Sequence, residues 1–349
     1  MPKPRIVVTK GQHSDQRHWS RAAADVLDAF ADWRELRLDR DVGQAEREAA
    51  ADAALADAEG LLFCGWGNLG LGRLSAERLE RMPRLRYVGS TTHYRQAEWV
   101  DMAAALGRGI AFSETAGIMS PWVAEYELAL GLAAMRRLPQ EHELVGRGEW
   151  TQQFVDVDWF DRLQGRRVGL ASFGEIHRHL ARMLAPFECE WQAFDPFVSA
   201  ERIEAAGGRR ADDLVAMARR SEMLFIATPP NPSTIGLIGR AVIEALPRGA
   251  VFVLVSRMAV VEQPPLIERL ERGELRAGID VFEPEPPAAD HPLRRLPNVV
   301  HTPHRAGNTA GAHRGIFQAQ CEEARRHFAG QPLEHPLRPE LVRLFEGVG

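Results

Sequence analysis

The sequence predicts an α/β protein built from two domains with parallel sheets. Apolar, strand-like runs alternate with helical segments, first over residues 5–112 and again over residues 167–328. The length of 349 residues also predicts two domains, because a domain commonly takes roughly 100–200 residues. Alternating strands and helices bring parallel strands together, and the second alternation is typical of a doubly wound, dinucleotide-binding domain.

The first alternation begins with a β-branched run at residues 5–9. Further apolar runs predict strands at residues 60–64, 85–89 and 110–112. Helical segments are expected around residues 21–31 and 49–58, and Ser75 precedes Ala-Glu-Arg as a helix cap would. The resulting βαβα order predicts a parallel sheet.

The second alternation follows an apolar segment, residues 122–137, that predicts a long buried helix. Six strands are expected, at residues 167–171, 190–194, 223–227, 251–255, 277–281 and 299–302. Helices are expected near residues 178–184, 211–219, 240–246 and 265–272, and a last one at 310–328. Six strands at this spacing suit a doubly wound sheet that binds a dinucleotide.

Composition narrows the possible partners. The net charge of −5 argues against nucleic acid or an anionic membrane as the main partner. No apolar run approaches ~18 residues, and the N-terminus lacks the apolar stretch of a signal peptide, so neither a membrane span nor secretion is expected. The cysteines, Cys64, Cys189 and Cys321, lie far apart, which predicts neither a zinc site nor disulfides. We therefore expect no bound metal and a cytoplasmic location.

A candidate nucleotide loop follows the strand at 167–171. A Gly-x-Gly-x-x-Gly pattern would place glycines at Ser172, Gly174 and His177, and only Gly174 is one. Asp195, about 21 residues further on, could accept a hydrogen bond from a ribose 2′-hydroxyl, which favours NAD. We expect Ser172 to keep a negative φ, and His177 to push the helix outward or turn its ring to solvent.

Three late stretches carry residues suited to acid–base chemistry, each at the end of a predicted strand. They contain Arg257, the acidic run from Asp280 to Glu285, and His304. An arginine offers a forked donor set for a carboxylate, and a histidine exchanges protons near neutral pH. Because strand ends of a doubly wound sheet converge on one crevice, we expect these side chains to meet there.

These stretches resemble the D-isomer-specific 2-hydroxyacid dehydrogenase family. Members of this family contain the motifs Ala/Ser-Arg-Gly, Asp-Val-Phe-x-x-Glu-Pro and Thr-Pro-His. The matching segments of this sequence are residues 256–258, 280–286 and 302–304. Similarity covers most of residues 60–335. The resemblance implies a Rossmann-like NAD-binding domain, residues 119–304, inserted in a flavodoxin-like substrate-binding domain made of residues 1–118 and 305–349. Met258, Arg305 and the glycine-poor loop 89–95 depart from the family pattern.

The resemblance also assigns roles. It implies Arg257 on the substrate carboxylate, His304 as acid/base, Glu285 as its partner, and Asp280 near the nicotinamide amide. Further cofactor-binding residues would be Gly174, Glu175, Ile176, Asp195, Pro229, Thr234, Val255, Ser256 and Gly307, and substrate-binding residues would be Trp66, Ser90, Thr91 and Thr92.

The implied activity is hydride transfer between NAD and a small 2-oxo or 2-hydroxy acid of D configuration, by an enzyme that is a homodimer. Two alternatives stay open. One is a catalytically impaired, NAD-binding sensor or interaction protein, which the altered glycine loop favours. The other is a related dehydrogenase reaction. Oxidation of phosphite is compatible with the basic residues near the predicted site, whereas oxidation of formate is disfavoured by Glu285.

Overall fold

The computed structural model describes residues 2–150 and 161–344. The chain divides into two compact units. Unit 1 comprises Met1–Met119 and Asn308–Gly349, and unit 2 comprises Ser120–Gly307. The predicted boundaries at 118/119 and 304/305, and the assignment of one unit to substrate and the other to NAD, stay predictions at this point.

The described residues form strands and helices in the following order. The strands are β1 Arg5–Lys10, β2 Asp32–Arg37, β3 Gly60–Cys64, β4 Tyr87–Ser90, β5 Ala111–Glu114, β6 Arg167–Ala171, β7 Glu190–Phe194, β8 Arg209–Arg210, β9 Met223–Ile226, β10 Val251–Leu254, β11 Arg276–Ile279 and β12 Val299–His301. The helices are α1 Ser14–Arg17, α2 Arg21–Phe30, α3 Gln44–Leu55, α4 Ala76–Glu80, α5 Met102–Gly107, α6 Ser120–Arg136, α7 Leu138–Gly146, α8 Glu175–Leu184, α9 Ala200–Glu204, α10 Leu214–Arg220, α11 Arg240–Ala245, α12 Gln263–Glu271, α13 Ala310–Phe328 and α14 Pro339–Leu344.

Unit 1 is built on a parallel sheet of order β2-β1-β3-β4-β5. Alternate residues of a strand point to opposite faces, so Val7 and Ile6 of β1 enter different apolar cores. The core that contains Ile6 also takes Phe317 of α13 and Leu27 of α2, and helices therefore cover that face. The order 2-1-3-4-5 is that of flavodoxin-like folds.

Unit 2 is built on a parallel sheet of order β12-β11-β10-β9-β6-β7-β8. Read from β8, the first six strands follow the 3-2-1-4-5-6 order of dinucleotide-binding folds. The strand order reverses between β6 and β9, and ligands of such sheets bind at the carboxyl ends of the strands at this reversal. The fold class predicted from the sequence is confirmed.

Single elements agree with the sequence to different degrees. The bounds of β3, β6, β7 and α13 are those predicted, and the side chain of Ser75 caps α4 by accepting the N–H of Arg78. The sequence analysis missed β2, a polar edge strand whose residues are mostly exposed, and the two-residue β8. None of the helices in the part of the chain that the structure describes is both long and apolar enough to cross a membrane.

Candidate active site

The three side chains predicted to carry the chemistry meet at the carboxyl edge of the unit 2 sheet. Arg257 follows β10, Glu285 follows β11 and His304 follows β12. Nδ1 of His304 lies 2.7 Å from Oε2 of Glu285, and Nη1 of Arg257 lies 3.3 Å from Nε2 of His304. The parallel sheet therefore joins residues 47 positions apart in one series of contacts.

The contacts of His304 assign its protons. A guanidinium has no acceptor atom, so an N–H of Arg257 donates to Nε2 of His304, and Nδ1–H of the ring donates to Glu285. Burial acts to raise the pKa of Glu285, but the bonds from His304 and from the N–H of Phe282 outweigh it, and the pKa lies below its usual value. Glu285 is consequently the ionised partner of the imidazole at neutral pH.

Asp280 holds the loop that carries His304. Its buried carboxylate accepts the hydroxyl of Thr302 at 2.6 Å and the N–H groups of Arg305 and Ala306 at 2.8 and 2.9 Å. Its carbonyl accepts the N–H of His304 at 2.8 Å. His304 has a φ of +53°, which is costly for a residue with a Cβ and persists only where neighbours impose it. Asp280 is one such neighbour, and its predicted place near the nicotinamide stays a prediction.

The loop between β6 and α8 has an unexpected backbone conformation. Ser172 has a φ of +89°, so the expectation of a negative φ is wrong. Its carbonyl accepts Nδ1–H of the His177 ring at 2.8 Å, and its N–H donates to the carbonyl of Phe194 at 2.9 Å. These two bonds hold a serine in the turn for which a glycine is usual.

His177 is buried, so the expectation that its ring turns to solvent is wrong, whereas the alternative of an outward shift of the helix stays a prediction. Its side chain has no exposed surface, and Nε2 lies 3.3 Å from Oε1 of Glu127 on α6. Burial acts to lower the pKa of His177, but the carboxylate of Glu127 and the carbonyl of Ser172 outweigh it and raise the pKa. The position of the third glycine is therefore occupied by half of a buried ion pair that ties α8 to α6.

The N-terminus of α8 fits a dinucleotide pyrophosphate. Gly174 is the N-cap, no side chain of the described residues caps the helix, and a Cβ at Gly174 would meet none of their atoms within 4 Å. The backbone at Gly174 is therefore accessible, and the N–H groups of Glu175 and Ile176 in the first turn of α8 could bind an anion, as a helix N-terminus can. Asp195 lies beside this loop, because Oδ2 accepts the N–H of Phe173 at 2.8 Å. Each of its oxygens has a further lone pair for a ribose hydroxyl.

The other predicted cofactor residues lie on the same edge of the sheet. Pro229 and Thr234 follow β9, Val255 and Ser256 follow β10, and Gly307 follows β12. The hydroxyl of Thr234 donates to the carbonyl of Pro229 at 2.7 Å and so closes their loop. The hydroxyl oxygen of Ser256 is buried and has no partner among the described residues.

The side chains of Ser90, Thr91 and Thr92 in unit 1 are directed into that unit. The hydroxyl of Ser90 donates to the carbonyl of Ser113 at 2.7 Å, and the hydroxyl of Thr91 accepts the amide of Gln320 at 2.6 Å. All three predicted substrate residues are buried. These three side chains therefore contribute to the packing of unit 1, and their predicted role in substrate binding stays a prediction. Trp66, by contrast, is 38% exposed.

Glu114 is a residue that the sequence analysis missed. Its buried carboxylate accepts the N–H of Thr92 at 3.0 Å, the N–H of Ala116 at 2.9 Å and the amide of Gln96 at 2.5 Å. Burial raises the pKa of Glu114 against the effect of these bonds. The carboxylate shapes loop 90–96, in which His93 and Tyr94 have positive φ values. Glu114 could have been noticed in the sequence as an acidic residue at the end of an apolar strand.

Known proteins resemble this chain over most of its length. The model of the D-isomer specific 2-hydroxyacid dehydrogenase NAD binding domain matches residues 128–306. Glyoxylate/hydroxypyruvate reductase B of Pectobacterium carotovorum subsp. carotovorum is 30% identical over 323 residues, covering 90% of this chain and 97% of the relative. D-3-phosphoglycerate dehydrogenase of Archaeoglobus fulgidus is 31% identical over 265 residues, which are 75% of this chain but only 49% of the relative.

A solved structure has the same fold. The 2-hydroxyacid dehydrogenase of Ketogulonicigenium vulgare Y25 superposes with a TM-score of 0.73 and 28% identity, covering 97% of this chain and 99% of that one. The family model covers half of the chain, and the motif residues lie in one site at the carboxyl edge of unit 2. The chain belongs to the D-isomer-specific 2-hydroxyacid dehydrogenase family, with NAD as its cofactor.

Proposed function

We propose that this protein is an NAD-dependent oxidoreductase that transfers a hydride between the nicotinamide and a small D-2-hydroxy or 2-oxo acid. The observation that carries the proposal is the series of contacts from Arg257 through His304 to Glu285. A guanidinium, an imidazole and a carboxylate in this order can bind a carboxylate, move a proton and stabilise the charge that results.

Arg257 binds and orients the acid. It is partly exposed at the carboxyl end of β10, and its fork of N–H groups matches a carboxylate and an adjoining carbonyl oxygen. Its contact with Nε2 of His304 puts the bound acid next to the nitrogen that exchanges the proton. In the reductive direction, Nε2–H protonates the forming alkoxide. In the oxidative direction, the unprotonated Nε2 takes the hydroxyl proton.

Glu285 supports the charged form of His304. Its Oε2 accepts Nδ1–H at 2.7 Å, so Nε2 is the nitrogen that changes protonation. The N–H of Phe282 donates to the other oxygen at 3.0 Å, which keeps the carboxylate oriented. A carboxylate at this distance stabilises an imidazolium and orients the ring for proton transfer.

The bound NAD supplies or accepts the hydride. Unit 2 would hold its pyrophosphate with the N–H groups of Glu175 and Ile176, and its ribose with the carboxylate of Asp195. The buried pair of His177 and Glu127 keeps the loop in place despite the missing glycines. The altered loop is therefore compatible with cofactor binding, which removes the main reason for the sensor alternative.

Unit 1 would be the substrate-binding domain and unit 2 the NAD-binding domain. The order of strands in unit 2 and the family model over residues 128–306 support this assignment. The predicted homodimer and cytoplasmic location belong to the same proposal, since they are implied by the resemblance and by three unpaired cysteines.

Steady-state oxidation of NADH with a panel of 2-oxo acids tests this function. His304→Gln should lower turnover by about 100-fold or more, because general acid–base catalysis contributes ~10²–10⁴. Binding of NADH, measured by calorimetry, should stay within about twofold. His301→Gln is the matched control, because His301 is exposed three residues away and should keep full turnover. Unchanged turnover of His304→Gln would remove His304 from the mechanism.

A further inference from the structure

The carboxylate of Glu114 is surrounded by hydrogen-bond donors inside unit 1. Glu114 is the last residue of β5, and only 6% of it is exposed. Oε1 accepts the N–H of Ala116 at 2.9 Å, and Oε2 accepts the N–H groups of Thr92 and Tyr94 at 3.0 and 3.4 Å. The amide of Gln96 and the hydroxyl of Thr92 also donate to Oε2, at 2.5 and 3.4 Å. Five donors therefore converge on one buried side chain.

The neighbours of Gln96 fix the direction of its bond to Glu114. Nε2 of Gln96 lies 2.9 Å from Oγ of Ser90, whose own proton goes to the carbonyl of Ser113 at 2.7 Å. Oγ of Ser90 therefore accepts one proton of the amide, and the second proton of the same NH₂ group goes to Glu114. A protonated carboxyl would direct its O–H toward a group that itself donates, whereas a carboxylate accepts from all of them. Burial raises the pKa of Glu114, but the geometry around it is that of an ionised carboxylate.

The loop is shaped around an anion. Three of the five donors are backbone N–H groups and the others are an amide and a hydroxyl, so none of them carries a charge. His93 and Tyr94, within the loop, have φ values of +51° and +63°, which residues with a Cβ rarely adopt. Turns with such residues direct backbone N–H groups toward one concave side, where an anion binds. The strained turn and the converging donors together are the features of an anion site.

We propose that loop 90–96, together with the N–H of Ala116, is a carboxylate-binding site that the protein fills with its own Glu114. The site would take a small free carboxylate, such as acetate or formate, once the side chain of Glu114 is removed. In the intact protein its donors are occupied, so the site is closed to the carboxylate of any ligand. Under the proposed function, binding of the acid then falls to Arg257 of unit 2.

The variant Glu114→Ala opens the site for a test. A cavity left by truncation of a buried side chain can bind a small molecule that fits it. Acetate replaces the lost carboxylate and the carbon next to it. Acetamide has nearly the same shape, but its NH₂ group would face donors where the carboxylate offers an acceptor oxygen. Comparison of the two ligands therefore separates an anion site from a polar cavity.

Differential scanning calorimetry measures the binding through the melting temperature. Acetate at about 100 times its Kd should raise the melting temperature of Glu114→Ala by about 5–10 °C, because it binds only the folded state. Formate should act in the same way. Acetamide, or sodium chloride at the ionic strength of the acetate, should change it by less than about 1 °C, since neither supplies a carboxylate.

Three controls show whether the response belongs to this site. The parent protein and Glu114→Gln should not respond to acetate, because a side chain fills the site in both. Leu85→Ala should not respond either, because Leu85 is buried in an apolar core of unit 1 and its truncation leaves a cavity without this set of donors.

Two results would overturn the proposal: equal stabilisation by acetate and acetamide, or no response of folded Glu114→Ala to acetate. If the alanine variant does not fold, Glu114→Thr takes its place with formate as the ligand, since threonine suits a strand and leaves room for this smaller anion. Should neither variant fold alone, the fraction that refolds in acetate, compared with acetamide, decides in the same way. None of these measurements requires turnover, so the inference and the proposed function stand or fall separately.

Discussion

Removal of the His177 imidazole should destabilise unit 2 and weaken NADH binding. The ring makes two contacts, one with the carbonyl of Ser172 at 2.8 Å and one with Glu127 at 3.3 Å. Both side chains of the ion pair are fully buried, and Oε2 of Glu127 has no hydrogen-bond partner in the part of the chain that the structure describes. His177→Ala would leave the carboxylate of Glu127 buried without any partner.

The cost follows from that unpaired carboxylate. Loss of one partner of a buried ion pair costs about 3–5 kcal/mol. A domain of 150–250 residues loses roughly 2–4 °C in melting temperature per kcal/mol, so a decrease of about 10 °C is expected. The carbonyl of Ser172 also loses the bond that holds its positive φ. A lost bond of this kind, worth about 1.4 kcal/mol, corresponds to a tenfold weaker Kd for NADH.

Differential scanning calorimetry and titration with NADH measure the two effects. Glu127→Gln keeps the volume and a hydrogen-bond acceptor but removes the charge, so it should cost less than His177→Ala in both assays. His179→Ala, two residues further along α8, controls for a change of helix sequence. If His177→Ala has the melting temperature and the Kd for NADH of the parent protein, then His177 does not stabilise the loop between β6 and α8.

The stability contributed by His177 should depend on pH with a defined sign. Burial opposes charge on the ring, but Glu127 and Ser172 together raise the pKa of His177 above its ordinary value. A raised pKa in the folded state gives a contribution that is complete below the unfolded pKa of ~6.5 and is lost as the pH rises through the folded value. The difference in unfolding free energy between the parent and His177→Ala should therefore be larger at pH 6 than at pH 9. In Glu127→Gln, this dependence should largely disappear.

Three further changes test neighbouring parts of unit 2. Glu285→Gln should shift the pH optimum of the reductive reaction to lower pH, because an uncharged neighbour stabilises an imidazolium less; an unmoved rate profile would count against the pairing with His304. Asp195→Ala should narrow the preference for NADH over NADPH in titrations of both, since the aspartate repels a 2′-phosphate; tighter NADPH binding by the parent would contradict this role. Ser172→Gly should raise the unfolding free energy by about 1 kcal/mol in denaturant titrations, because glycine adopts a positive φ without strain; a less stable variant would show that the φ of Ser172 is not strained.

The alternation of strands and helices made most of the fold predictable. Strands buried on both faces are nearly continuous apolar runs, and β3 and β6 were predicted with their observed bounds for that reason. The strand β2 has neither an apolar run nor a clear alternation, because it pairs only at the edge of the sheet through β1. Its strand conformation follows from backbone pairing with β1, which a single-sequence reading of side-chain types does not detect.

The catalytic residues could be predicted from the sequence, whereas the ion pair that supports the nucleotide loop could not. Arg257, Glu285 and His304 occur in recognisable motifs at strand ends, and parallel strand ends converge. The partner of His177 was not predictable, since Glu127 lies 50 residues earlier inside a long apolar helix. Only the crossing of α6 and α8 brings the two together. Glu127 was nevertheless a signal, because an acidic side chain that is buried in a largely apolar helix requires a partner.

The two substitutions in the glycine loop are best understood together. A serine in the first position has to adopt a φ of +89°, and a histidine in the third position has to fit between packed elements. Either change alone would weaken the turn, one through backbone strain and the other through a buried polar ring. In combination, the ring of His177 donates to the carbonyl of Ser172, and Glu127 supplies the ring with an opposite charge. The loop thus keeps the one position that a pyrophosphate needs bare, Gly174, and holds its remaining shape with side-chain bonds instead of glycines.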